Sequence, residues 1–93
     1  MDKIELFNRL ARIVRPAFSD YVPIESLDTP LVESGLDSMD ALMFGVYMGD
    51  IYGVPDHVSK EWVFVTPRLM FELFEKHATR IPATVDEALK DIQ

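Results

Sequence analysis

Fifteen residues from Ser38 to Tyr52, Ser-Met-Asp-Ala-Leu-Met-Phe-Gly-Val-Tyr-Met-Gly-Asp-Ile-Tyr, run without a proline and with only two charged side chains. Their length suits about four helical turns. Steps of three or four put Met39, Leu42 and Val46, with Met48 or Tyr52, on a stripe facing a core, yet Met43, Phe44, Tyr47 and Ile51 are apolar too. A helix apolar all round is either enclosed or turns one face to another molecule, and a chain of 93 residues is too small to enclose it easily. The segment therefore predicts a helix over 38–52 with an outer face that meets a partner.

The approach to this helix is polar. Gly35 can take the positive φ of a tight turn, and the side chain of Asp37 or Ser38 can accept from the first free backbone N–H groups. Asp37 and Asp40 lie where the helix dipole favours negative charge. Ser38 is thus expected to be exposed at a helix start; as a bare local signal this is a plain helix cap.

The rest of the chain reads as more helix. Ile4, Phe7, Leu10, Ala11 and Val14 form a stripe flanked by Leu6 and Ile13, so residues 2–15 predict an amphipathic helix that stops at Arg15, before Pro16. Arg9, Arg12 and Arg15 read as a solvated face that offsets the dipole. Residues 16–37 hold Pro16, Pro23 and Pro30 and read as a long connection, pinned by Phe18, Tyr21, Val22, Ile24, Leu27, Leu31 and Val32. After Gly53, a helix stop, residues 56–62 predict one or two turns, and Val63-Phe64-Val65 a buried connector. Thr66-Pro67 opens a helix with Leu69, Met70, Leu73, Phe74 and His77 on one face, running to Arg80 with Phe71 on its flank. Thr84-Val85-Asp86-Glu87 is a capping box that opens a short terminal helix. Gly45 and Gly49 share a face; close approach of a helix, room for a ligand and simple tolerance all fit them.

Charge and composition narrow the functional classes. Sixteen acidic against nine basic residues give a net charge of −7, which opposes nucleic-acid binding and favours partners with basic patches. With no cysteine there is no thiolate metal site or nucleophile, and a reducing cytoplasm suits the chain. Neither a signal sequence nor a membrane span is expected. His57 and His77 lack companions at ligand spacing, so no metal site is expected, and no catalytic constellation can be assembled.

Gly35-Leu36-Asp37-Ser38-Met39 ahead of an apolar helix resembles the attachment motif of acyl carrier proteins, Gly-x-Asp-Ser-Leu. Ser19, Ser26, Ser34 and Ser59 lack that setting. The order of helix, long connection, helix, short helix and helix over residues 2–80 is similar to the same family. The resemblance implies an all-α antiparallel four-helix bundle with a short third helix over residues 1–82, followed by a helical extension over 83–93. It implies 4′-phosphopantetheine attached to Ser38, with Asp37 orienting the serine for a phosphopantetheinyl transferase that uses coenzyme A and Mg²⁺. It further implies a docking face of Met39, Met43, Phe44 and Tyr47 for acyl-loading and acyl-transferring or synthase enzymes, and a monomeric, cytoplasmic, non-catalytic carrier. Ser34 stands where a leucine is common in the family, and Met43 and Gly49 stand where ordinary fatty-acid carriers commonly have glutamates; the latter departure points to a specialised pathway. The alternative is an unmodified helical interaction module that uses the apolar helix 38–52 and keeps Ser38 only as a cap.

Overall fold

The computed structural model describes residues 1–15, 20–90 and Ile92, and all regular structure among them is helical. The order is α1 (Lys3–Val14), a 3-10 turn (Leu31–Ser34), α2 (Ser38–Tyr52), α3 (Asp56–Ser59), α4 (Pro67–His77) and α5 (Val85–Leu89). Helix α2 packs against α1, α3 and α4, and α5 packs against α1. The arrangement is that of a helical bundle around one core.

Local chemistry sets most boundaries. Asp2 caps α1 by accepting from the Glu5 N–H at 3.0 Å, and the helix ends with Arg15 in extended backbone (φ −119°, ψ 112°), as a residue before proline prefers. The Thr66 hydroxyl accepts from the Leu69 N–H at 3.2 Å, with Pro67 at the first helical position. Helix α4 stops at His77, three residues before Arg80, because the Thr79 and Arg80 N–H groups turn away to the Tyr52 carbonyl. The Thr84 hydroxyl accepts from the Glu87 N–H, while the Glu87 carboxylate reaches back to the Ala83 N–H.

The core joins α1, α2, α4 and α5 with the connection before α2. Phe7 stacks on Phe44 at 4.6 Å between ring centroids. Phe74 lies against Tyr52, Trp62 and Phe64. The Tyr52 hydroxyl is buried with no hydrogen-bond partner among the described residues, a cost of about 1–3 kcal/mol. Leu6, placed on the flank of the α1 stripe by spacing, is fully buried, as is Phe71 of α4, while Leu69 is exposed. Val85, Ala88 and Leu89 belong to the same core, so the terminal helix docks on the bundle.

The long connection is pinned as expected by Tyr21, Ile24 and Leu31, with Leu27 half-buried; Val22 and Val32 face solvent, and Phe18 lies outside the described residues. Asn8 supplies an anchor that spacing did not reveal. Its Oδ1 accepts from the Tyr21 hydroxyl and the Ile24 N–H, and its Nδ2 donates to the Ile24 carbonyl. Arg68 grips Asp28 through two contacts, Nε to Oδ1 and Nη2 to Oδ2. The Val63-Phe64-Val65 connector is not buried as a unit: Phe64 turns inward against Phe74 while Val63 and Val65 point outward. An extended strip alternates its sides, so with Phe64 turned inward both valines face away from the core.

Candidate functional site

Ser38 is the first residue of α2 and is exposed. Three local features put it there. Gly35 holds φ at +84°, a left-handed turn that a side chain would strain. Leu36 is buried and pins the turn to the core. Asp37 is the cap: its Oδ1 accepts from the Asp40 N–H at 2.9 Å, and the Asp40 Oδ2 accepts from the Asp37 N–H at 3.0 Å. Of the two candidate caps, Asp37 does the capping, and the Ser38 hydroxyl makes no hydrogen bond among the described residues.

The electrostatics of this turn involve a third residue. Asp40 is only 7% exposed, and its Oδ2 lies 3.0 Å from Nη1 of Arg15. The Asp37 carboxyl titrates below the usual aspartate range, chiefly because it accepts from the Asp40 N–H, with a further contribution from the Arg15 charge. Arg15 therefore belongs to this site and not to a solvated arginine face. Sequence spacing offered no sign of it, because the pair spans 25 residues.

The outer surface of α2 differs from the expected docking face. Met39 and Met43 are exposed, Met39 at 66%. Phe44 is 0% exposed and stacked on Phe7, so it belongs to the core and is removed from the face. Tyr47 is only half-buried and packs against the core's edge. In their place stand Leu42, 53% exposed, and Val46, 42% exposed, which spacing had directed inward. The stripe at 39, 42 and 46 is real; its direction is reversed, because the bulkier residues at 44, 48, 51 and 52 fill the interior.

Beside this face runs a groove. A cavity of about 270 Å³ opens at Ser38 and is lined by Ala41, Leu42, Gly45 and Val46 of α2 and by Trp62, Val63 and Phe64 from the other side, with Asp56, Ser59 and Lys60 on its α3 lip. A second hollow of about 280 Å³ continues it past Gly45 and Gly49 to Asp50 and Val54. A Cβ on Gly45 would meet the Phe64 ring at 3.5 Å, an ordinary contact, whereas one on Gly49 would sit 2.9 Å from the Val54 carbonyl oxygen. Gly49 thus serves the chain's own tight return after Gly53, and Gly45 keeps the groove floor low. Trp62 and Phe64 were missed as groove residues because they approach α2 from a connector with no helical register.

A larger cavity of about 440 Å³ lies at the opposite end of α2, between Asp50, Arg80, Glu87 and Lys90. None of its lining residues carries a hydroxyl or thiol to which a group could be attached, so Ser38 remains the better candidate. Among the described residues no group of three or more histidine, aspartate or glutamate side chains is placed to hold a metal ion, and no helix is long and apolar enough to cross a membrane. No protein-family model matches the chain, and comparison with curated proteins and with solved structures likewise gives no match.

Proposed function

We propose that this chain is a carrier of the acyl-carrier-protein type, built as an antiparallel four-helix bundle with a short third helix and an added terminal helix, and that Ser38 is its attachment point for 4′-phosphopantetheine. The observation that carries the reading is the coincidence of an uncommitted, exposed serine hydroxyl, held on a rigid capped turn, with an apolar groove that begins at the same residue. A group attached at Ser38 would find the groove beside it, and Gly45 leaves that floor unfilled. When bound, the phosphopantetheine supplies a terminal thiol that holds an acyl group as a thioester.

The chain's own residues have limited tasks. In the transfer, the Ser38 Oγ forms a bond to the pantetheine-bearing phosphorus of coenzyme A as the pyrophosphate P–O bond breaks; the adenosine bisphosphate leaves and the serine proton passes to the transferase. Asp37 and Asp40 hold the turn that presents this hydroxyl. Met39, Leu42, Met43 and Val46 offer an apolar surface to the transferase and to acyl-loading and acyl-transferring or synthase enzymes; methionine adapts to several partners. Such a carrier would act as a monomer in the cytoplasm and would not itself be an enzyme.

The test is intact mass after incubation with a broad-specificity phosphopantetheinyl transferase, Mg²⁺ and coenzyme A. The wild type is expected to gain one phosphopantetheine and Ser38→Ala none. Absence of gain in folded wild-type protein across several transferases overturns the reading in favour of an unmodified interaction module built on the outer face of α2. Because Asp37 is the cap, Ser38→Ala should cost less than the roughly 1 kcal/mol of a lost cap, so loss of modification will not reflect unfolding.

A further inference from the structure

Arg15 is the first residue beyond α1, and its backbone N–H still bonds to the Ala11 carbonyl. Its guanidinium leaves α1 for the start of α2. Nη1 lies 3.0 Å from the Asp40 Oδ2, and Nη2 lies 2.9 Å from the Asp20 Oδ1. The same Asp40 oxygen accepts from the Asp37 N–H at 3.0 Å. One carboxylate oxygen therefore joins a charge from α1 to the backbone amide of the residue before Ser38. Two carboxylates share this turn, and among the described residues Arg15 is the only cation within ion-pair distance of either.

We propose that Arg15 is a positioning residue for the attachment reaction at Ser38, acting through Asp40; the inference rests on the carrier reading given above. Removing the guanidinium leaves a nearly buried carboxylate beside a second one with no cation, an arrangement that costs more than turning the carboxylate out to water. When Asp40 turns out, the Asp37 N–H loses its acceptor and the Asp37–Ser38 peptide is released from its fixed orientation. A nucleophile displaced by as little as an ångström can lose rate by up to about 100-fold. None of the exposed apolar residues of α2 takes part in these bonds, so binding to the transferase is unaffected and the loss falls on the chemical step.

The full chain is compared as wild type, Arg15→Ala, Arg15→Lys, Asp40→Asn and the Arg15→Ala/Asp40→Asn double variant. Arg68→Ala, which breaks the Arg68–Asp28 pair elsewhere, is the control. Transferase kcat and KM are read by intact mass, and amide hydrogen exchange of Asp37 is read on the unmodified proteins. Arg15→Ala is expected to lower kcat about tenfold with KM within about twofold, and to speed Asp37 exchange. Arg15→Lys should recover part of kcat, the double variant should be no slower than its slower parent, and Arg68→Ala should match wild type. If Arg15→Ala fails to fold, Arg15→Gln, which removes the charge and keeps most of the side chain, gives the same readouts. Modification of wild type with equal kcat in Arg15→Ala or Arg15→Gln, or unchanged Asp37 exchange in them, overturns this inference alone; wild type that is never modified overturns the carrier reading and the positioning role with it.

Discussion

The inward face of α2 carries Phe44, Met48, Ile51 and Tyr52 and the outward face Met39, Leu42, Met43 and Val46, so both faces are apolar while only one is enclosed. The difference lies in shape and in neighbours. Inward residues meet rings offered by α1 and α4, Phe7 on Phe44 and Phe74 beside Tyr52, whereas Leu42 and Val46 only border the groove edged by Trp62, Val63 and Phe64, and Met39 and Met43 stay exposed. Helices α1 and α4 are less ambiguous, since each confines its buried residues to one stripe and leaves mostly charged residues outside it, Leu69 being an exception. An apolar surface that the fold could have charged at little cost to stability, in a chain of net charge −7, is what the proposed docking role would require.

That contrast can be broken by substitution. The largest effect is expected inside: Phe44→Ala should lose about 3–5 kcal/mol in urea denaturation, and a loss under 1 kcal/mol would mean that Phe44 is not enclosed. Next is the close approach behind the helix. Gly49→Ala should be net destabilising by roughly 1 kcal/mol, because crowding of the Val54 carbonyl outweighs the usual gain of alanine over glycine in a helix. A stabilised variant would show that the return after Gly53 relaxes freely. The smallest change in stability is expected outside. Met43→Glu should stay within about 0.5 kcal/mol of wild type while weakening a partner such as the transferase, read as a raised KM. Unchanged KM would take Met43 out of the contact surface.

Much of the fold was legible because it is written in local chemistry. Thr66-Pro67, the glycines at 35 and 53 in left-handed geometry, and the stripe of α1 each act within a few residues. So did the helix start at Ser38, with the cap resolved to Asp37. The direction of the α2 stripe was not legible, because periodicity finds a face without saying which side other elements will cover. Arg15, Trp62 and Phe64 were missed for a related reason: they reach the site across 25, 24 and 26 residues, along a chain path that no local pattern contains.

Helix α2 has no lysine or arginine of its own, yet an arginine from another element secures each of its ends: Arg15 through Asp40 at the start, and Arg80 through the Asp50 and Ile51 carbonyls at the finish. Its placement thus depends on residues at its two ends and on its inner side, and not on those facing outward. Substitutions can accumulate on the outer surface without disturbing the frame, so the face this helix presents can change while the architecture stands still.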